Sequence, residues 1–474
     1  MTLKTLATAF ATIMLFSACD KYLDITPKGS QLVRTAQDYY DLVAYPNRGY
    51  PINNFQYLVD DQYLKESNVI GLTPNINTIN FLFQEQEDRV SRITASNFYN
   101  QCYKYIAQWN MIISLADEST GDSKLKTLAK AEAKMFRAFD YFHLINVYAK
   151  AYDASTAAQD GGVCIMDKYD LEAKPAKSTV QQVYDFIQKD IEDALPYLQE
   201  KPTNPYHPSL AFAYALKAKV HLFKREITEA QAAAEKAMQL NGQLIDLVQY
   251  EKLGGPSKTP ITAENNPEVL SYMYVNGYTE MNFGYSYILS PELTSMFEKE
   301  DKRFSLFYTT SNASFLDIGA GASYYNVKYT AFFFPTVGLK TPEIYLMLAE
   351  CYARQDQFAK AINMLNALRK TRIEGDKAIL AVPTTRKEVM TLVINERRRE
   401  LPIGYHRFFD LKRLNLEPEY AKTLVRVFPI VNKTVEQKTY TLAPNSRMYI
   451  IPFPLDAMKL NPNLRLNTDE TVPF

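Results

Sequence analysis

The sequence contains few of the residues that carry covalent or metal chemistry. Its 474 residues include four histidines and four cysteines, and no CxxC pair, HExxH motif, Walker loop or nucleophile elbow occurs. Histidines this widely spaced do not indicate a local metal site. We therefore predict a non-catalytic protein without a metal or cofactor. A surface hydrolase is disfavoured, although carboxylates distant in sequence can meet in a fold.

Charge and hydropathy argue against two further classes. The 53 basic side chains balance 53 acidic ones, and nucleic-acid-binding proteins usually carry a basic excess or patch. Beyond the first helix-length stretch, no run reaches eighteen apolar residues, so no later membrane span is predicted. Apolar residues still make up 47% of the chain, which predicts a globular protein with a substantial core.

The first residues have the layout of a secretory signal. The apolar stretch Leu6–Phe16 is short for a membrane span, and Leu15–Cys19 resembles a bacterial lipobox, in which Cys19 is lipidated and becomes the N-terminus. An ordinary signal peptide with an incidental cysteine is the alternative. We predict a lipoprotein signal peptide at 1–18 and a lipid-anchored tether at 19–30, which would hold the chain on a membrane without spanning it.

Helical periodicity predicts much of the remaining chain as helix. A capping box is predicted at Ser178 and Gln181, and Thr385 is a predicted N-cap with Glu388 three residues later. The predicted helices cover about 36–44, 97–115, 124–149, 178–198, 209–223, 228–240, 341–353, 358–368 and 385–400, with a short strand at 269–275 and an irregular C-terminal tail.

Two helix pairs repeat one pattern of leucine or small residues with an aromatic ring, at spacings typical of tetratricopeptide repeats. The positions are Leu348, Ala349, Tyr352 and Ala361 in the later pair and Ala218, His221, Ala230 and Ala237 in the earlier pair. Each pair must stack on a neighbour to bury its other face. The sequence therefore predicts a mostly α fold built from degenerate repeats, with few short strands.

Two irregular segments, 50–89 and 272–329, mix aromatic rings with Asn, Gln, Pro and Gly. Long loops on a helical scaffold often bind ligands, and sugar rings stack on aromatic faces while their hydroxyls bond to polar side chains. For any single ring core packing is the favoured interpretation, because aromatic side chains bury well, and Trp109, the single tryptophan, is predicted to be core. The candidate ligand-binding residues are Tyr63, Phe81, Phe83, Tyr278, Tyr285, Tyr287, Tyr324 and Tyr325.

Two charged groups are interpreted as structural or as weak site signals. Helical spacing within Glu396–Glu400 favours the ion pairs Glu396 with Arg399 and Glu400 with Arg397, which predicts a stabilising helix face. Asp60 and Asp61 are a possible cation site, but the sequence around them lacks the further oxygen ligands of a calcium loop.

Taken together, these segments resemble the SusD/RagB family of outer-membrane lipoproteins from Bacteroidetes along essentially the whole chain. The matching motifs, in this order, are Cys19–Gly29, Ala131–Phe139, Glu343–Glu350, Asn366–Arg369, Glu396–Leu401, His406–Arg413, Ile451–Pro454 and Asn461–Leu464. The resemblance implies a right-handed superhelix of tetratricopeptide-like helix pairs with a loop-rich ligand-binding half. It divides the chain into an N-terminal helical region, 31–250, and a C-terminal region, 251–474, within one compact unit.

The resemblance also implies a function. Such proteins lie on the cell-surface face of the outer membrane, held by their lipid, and capture nutrient glycans for a SusC-like TonB-dependent transporter. Related members capture peptides for a RagA-like transporter. A third possibility, from another class, is a protein-only adaptor that binds no small ligand.

The lipobox interpretation predicts the outcome of one substitution. In Cys19→Ala the sulfur that would carry the lipid is gone, so we expect the protein to be unprocessed or released from the membrane. Membrane fractionation, with mass spectrometry of the N-terminus, measures both effects. Normal processing with full retention in the membrane fraction would contradict the lipobox interpretation.

Overall fold

The structure is a computed structural model that describes residues 33–45, 48–51, 54–71, 73–276, 288–309, 323–325, 336–402 and 405–473. The predicted signal peptide, the tether and Cys19 lie outside these residues. Among the described residues, no helix is both long and apolar enough to cross a membrane.

Helices dominate the N-terminal half, and side-chain caps begin most of them. They are α1 (Ala36–Val43), α2 (Ile76–Phe81), α3 (Asn97–Leu115), α4 (Ser123–Tyr148), α5 (Val180–Ala194), α6 (Leu210–Lys224), α7 (Ile227–Leu240) and α8 (Leu247–Lys252). The capping box of α5 joins Thr179 to Gln182, so the prediction of Ser178 and Gln181 was wrong by one residue.

The C-terminal half contains shorter helices around two long pairs. They are α9 (Pro291–Thr294), α10 (Lys302–Phe307), α11 (Thr341–Arg354), α12 (Phe358–Lys370), α13 (Arg386–Glu400), α14 (His406–Leu414) and α15 (Leu455–Leu460). The capping box predicted between Thr385 and Glu388 is confirmed at the start of α13.

The two predicted helix pairs stack directly on each other, although about a hundred residues separate them in sequence. Helix α6 packs on α7, α11 packs on α12, and α7 packs on α11. Small side chains allow the close approach, since Ala230, Ala237 and Ala361 are buried. Across the contact, the Tyr352 hydroxyl donates to Glu235 over 2.9 Å. The mostly helical, tetratricopeptide-like fold is thereby confirmed.

Helix α4 lies at the centre of the largest hydrophobic cluster, and it is buried on nearly all sides over its second half. Trp109 of α3 packs against it with no exposed surface, and its indole N–H donates to Asp140 over 2.7 Å. The prediction that Trp109 is core is confirmed. Cys102, Cys164 and Cys351 are buried and form no disulfide.

Ten short strands form four small sheets among the described residues. The strands are β1 (Gly49–Pro51), β2 (Gln62–Tyr63), β3 (Gly161–Cys164), β4 (Lys177–Thr179), β5 (Tyr274–Asn276), β6 (Ile288–Leu289), β7 (Tyr308–Thr309), β8 (Ser323–Tyr325), β9 (Leu424–Phe428) and β10 (Lys438–Leu442). Their orders are β1-β5, β3-β4, β9-β10 and β2-β6-β8-β7. The hairpin β9–β10 lies in the tail that was predicted to be irregular, and the strand predicted at 269–275 is confined to β5.

Lys412 of α14 makes the stability of the fold depend on pH. The side chain is buried, and its Nζ donates to the carbonyl oxygens of Asn146 and Ala149, over 2.5 and 2.7 Å. Burial lowers the pKa of Lys412 to about 7, because the site penalises the charged ammonium.

We expect the free energy of unfolding to rise with pH above 7 more steeply in the wild-type protein than in Lys412→Met. Between about pH 7 and 10.5, the ordinary pKa of lysine, the unfolded chain holds a proton on Lys412 that the folded protein has lost. The contribution of Lys412 to the slope of the free energy of unfolding against pH approaches about 1.4 kcal/mol per pH unit. Urea unfolding at several pH values measures it, with the exposed Lys201→Met as control; equal slopes in all three proteins would contradict the prediction.

Candidate ligand-binding face

The two aromatic-rich segments predicted from sequence meet in one small sheet. Strand β2, from the 50–89 segment, pairs antiparallel with β6, from the 272–329 segment, so that Gln62 opposes Leu289 and Tyr63 opposes Ile288. Strand β8 pairs with β6 and β7, which completes the sheet. We call these four strands the junction sheet.

A second strand pair joins the same segments. Strand β1 runs parallel to β5, with Gly49 opposite Tyr274. The Tyr105 hydroxyl of α3 fixes this pair to the helices, because it accepts from the Gly49 amide over 2.8 Å and lies 3.1 Å from the Gly49 carbonyl oxygen, to which it donates. The two segments therefore run side by side over two separate pairings.

Three of the predicted ligand-binding rings are part of the core. Tyr63, Phe81 and Phe83 have exposed fractions of 3%, 0% and 6%. The ring centroids of Tyr63 and Phe81 are 5.3 Å apart, and that of Phe81 lies 5.5 Å from Phe428 of β9. Stacking on a sugar requires an open ring face, so the structure corrects the prediction for these three, which are core residues.

The other candidates lie on an inner strand of the sheet or outside the described residues. Tyr324 and Tyr325 belong to β8, an inner strand, where their backbones oppose Ile288 and Tyr308 respectively. Tyr278, Tyr285 and Tyr287 fall in the connection from β5 to β6, outside the described residues. For these five tyrosines, ligand binding stays a prediction.

The adjacent acids Asp60 and Asp61 fix the start of β2 to the helices α13 and α14. Arg407 donates through two nitrogens to the Asp60 carboxylate, both over 2.7 Å, and Arg398 Nε donates to Asp61 over 2.8 Å. Lys422 adds a third cation, 2.8 Å from Asp60. Bidentate arginine–carboxylate pairs fix geometry as well as charge.

This pairing changes the interpretation of the two acids as a possible cation site. Burial alone would raise the pKa of Asp60, but Arg407 and Arg398 hold that pKa well below its ordinary value. Burial raises the pKa of Asp61, and Arg398 opposes the shift. The carboxylates are neutralised by protein cations, and the described residues contain no group of three or more His, Cys, Asp or Glu arranged to hold a metal.

The Glu396–Glu400 motif is buried, and half of its predicted pairing is confirmed. Arg399 pairs with Glu396 over 2.6 Å. The predicted pair of Glu400 with Arg397 was wrong: Arg397 pairs with Asp410 of α14 over 2.8 Å, and Glu400 pairs with Arg372, which follows α12, over 2.9 Å. A helix-spacing rule finds only partners on the same helix, and these come from other elements.

Arg426 of β9 holds the irregular residues 57–62 and 81–83 in place, and the sequence analysis missed it. Its guanidinium donates to the carbonyl oxygens of Tyr57, Val59, Gln62 and Phe81, with distances of 3.2, 2.6 and 3.2 Å to the first three. The same group lies 4.1 Å from the ring centroid of Phe81 and 4.5 Å from that of Phe83. Alternate residues of a strand share a face, so a strand over Leu424–Phe428 puts Arg426 on the same face as the buried Leu424 and Phe428. This was the available sequence signal.

Glu66 completes the attachment of the hairpin β9–β10. Its carboxylate accepts backbone N–H groups of Ile430, Val431 and Asn432 over 2.5, 2.9 and 2.7 Å. The Tyr63 hydroxyl donates to the same carboxylate over 3.2 Å. Glu66 thus binds residues 430–432, between the two strands of the hairpin, and Arg426 binds the middle of β9 to the 54–83 chain.

The fold defines a mostly helical, tetratricopeptide-like protein that carries a small sheet between two irregular segments, and comparison with known proteins identifies the family. Residues 21–222 match a SusD-like family described as "Starch-binding associating with outer membrane", and residues 335–469 match the SusD family that includes RagB. The chain belongs to the SusD/RagB family.

Individual relatives agree in fold and length. A SusD-like protein P2 of Formosa agariphila is 22% identical over 421 residues, which are 78% of this chain and 80% of the relative. A SusD superfamily crystal structure from Bacteroides thetaiotaomicron has a TM-score of 0.70 at 19% identity, covering 92% of this chain and 100% of that one. A SusD-like carbohydrate-binding protein of Bacteroides vulgatus has a TM-score of 0.67 at 17% identity, covering 91% and 98%.

The contacts of Arg426 predict that Arg426→Lys destabilises the protein by about 2–4 kcal/mol. A lysine has three donors for four carbonyl oxygens and loses the planar group between Phe81 and Phe83. Guanidinium unfolding measures the change. The control is Arg386→Lys at an exposed ion pair with Asp356, for which we expect about 0–1 kcal/mol; equal effects of the two substitutions would contradict the role of Arg426.

Proposed function

We propose that this protein is a non-catalytic lipoprotein on the cell-surface face of the outer membrane that captures nutrient glycans and delivers them to a SusC-like TonB-dependent transporter. One observation carries the proposal: the two segments with the aromatic and polar composition of a glycan site pair with each other in the junction sheet. Residues 31–250 and 251–474 would then act as one compact unit, because the ligand face needs both.

The relatives support a sugar as the cargo. One matching family is described as starch-binding, and a structural neighbour is described as carbohydrate-binding. These descriptions belong to those proteins, and they make a glycan the first ligand to test here. The family description also associates its members with the outer membrane, in agreement with the lipobox that ends at Cys19.

The proposed binding mode places tyrosine rings on a rigid base. Tyr324 and Tyr325 lie on an inner strand whose neighbours are both paired, so their backbone positions are fixed before ligand arrives. Fixed positions lower the ordering cost of binding. Stacking of sugar rings on tyrosines would supply apolar contact, and the amide side chains of both segments would bond to hydroxyl groups.

A peptide is the second candidate cargo, and the position of Trp109 is the observation that favours it. The single tryptophan of the chain is fully buried and bonded to Asp140. It therefore offers no face to a sugar, and the ligand surface must work with tyrosine and phenylalanine. Tyrosine and phenylalanine are enriched in protein–protein interfaces, so such a surface also suits a peptide.

The cargo class can be tested by affinity electrophoresis of the chain from Asp20 onward through gels cast with a panel of polysaccharides. We expect retardation by at least one polymer, because stacking along an extended chain slows migration. Ovalbumin run in the same gels controls for sieving. Retardation by none, with binding of short peptides in calorimetry, would replace the glycan by a peptide.

The residues can be tested by alanine substitution at Tyr285, Tyr287, Tyr324 and Tyr325. We expect each change to weaken binding of the retarding glycan by about 1–3 kcal/mol without unfolding the chain, the scale of a recognition hot spot. Tyr169→Ala, at an exposed tyrosine outside both segments, is the matched control. Calorimetry measures the affinity, and full affinity in all four variants would move the site away from these residues.

A further inference from the structure

A cleft of about 430 Å³ is lined by residues outside the junction sheet. Its walls come from the chain after α4 (150–160), the end of α14 (412–416), the chain after β10 (444–450) and residues 467–469. None of its lining residues belongs to the junction sheet. Clefts of roughly 300–1,000 Å³ are typical of small-molecule sites.

The floor of the cleft is apolar. It contains Leu416, Pro444, Tyr449 and Ile450. Leu416 is 39% exposed although it is a large apolar side chain. The Tyr449 ring is buried and lies 6.1 Å from the ring of Phe408, so the floor is held by the core. An apolar lining of this kind favours a ligand with an apolar face.

The Tyr449 hydroxyl is enclosed by protein and is not open to a ligand in the cleft. Tyr449 is 4% exposed, and its hydroxyl lies beside the Asn415 side chain. Burial raises the pKa of Tyr449, and Asn415 opposes the shift. Tyr449 therefore contributes its ring, and not its hydroxyl, to the apolar lining of the cleft.

The walls carry both signs of charge, and most of this charge is paired within the walls. The charged lining residues are Lys150 and Arg447 against Asp153, Asp160 and Asp469, while the buried Lys412 donates to backbone carbonyls. Lys150 pairs with Asp160 over 2.6 Å, and Arg447 lies 3.2 Å from Asp469. A charged ligand would have to compete with these pairs, whereas a neutral one can donate to the acids and accept from the cations.

We propose that this cleft is a second ligand site that binds a neutral saccharide of about disaccharide size, independently of the junction sheet. A sugar ring combines an apolar face for the floor with hydroxyl groups that both donate and accept, which the mixed walls require. The proposal does not rest on the function proposed for the junction sheet, because it uses other residues and other physical evidence.

The test uses the chain from Asp20 onward with maltose, cellobiose and laminaribiose as probes, and with glucosamine and glucuronate as charged comparisons. Hydrogen–deuterium exchange, read by mass spectrometry, locates the binding. We expect at least one neutral disaccharide at millimolar concentration to protect residues 150–160 and 444–450.

Two variants should remove this protection. Leu416→Asp takes away the apolar floor, and Ala151→Arg fills the cleft from its wall; we expect each to weaken binding about tenfold or more. The matched controls are Leu171→Asp, at another exposed leucine, and Ala158→Arg, at an exposed alanine of the same loop outside the cleft. Melting curves establish that all four variants fold.

Three results would overturn the proposal. They are no protection of these segments by any neutral disaccharide, unchanged protection in both cleft variants, and protection by glucosamine or glucuronate alone. Protection confined to residues around the junction sheet would support the first site and count against the second, so the two proposals fail separately.

Discussion

The position of the 50–89 segment depends on ion pairs between Asp60 and Asp61 and the arginines of α13 and α14. Arg407 and Arg398 belong to helices more than three hundred residues further along the chain, and both are buried with their partners. Removing one partner of a buried pair is costly, about 3–5 kcal/mol, because a charge remains without a counter-ion. The pairs therefore specify one location for β2, and the junction sheet forms where β2 is held.

Arg426 and Glu66 join the same segment to the β9–β10 hairpin. Residues 54–83 contain little regular structure, so many of their carbonyl and amide groups have no partner within a helix or sheet, and buried groups of this kind must be bonded. Arg426 supplies donors to four carbonyl oxygens, and Glu66 supplies acceptors to three amides. Arg426 thereby satisfies carbonyl oxygens of the irregular segment, and Glu66, which lies within the segment, satisfies amides of residues 430–432 in the hairpin.

These interactions explain which parts of the structure the sequence could predict. Helix periodicity and caps are local, so α3, α4, α13 and the stacked pairs were found within one or two residues. The pair Arg399–Glu396 was found because it lies within one helix, whereas Arg397 and Glu400 have partners on other helices. The burial of Tyr63 and Phe81 could not be predicted, because it depends on Phe428 and Arg426, which lie about 350 residues away and follow no helical spacing.

The strands of the junction sheet are short, so the sheet depends on the helical scaffold around it. Strands β2, β6 and β7 have two residues each, too few to form a stable sheet alone. Their stability comes from buried charges and rings that belong to the helical scaffold and the β9–β10 hairpin. The chain between β6 and β7 adds to this support, because Glu292 pairs with Arg398 over 2.9 Å and with Lys422 over 2.8 Å. The junction sheet is therefore held in place by ion pairs and packing outside its own strands, since the pairing of such short strands would not fix it alone.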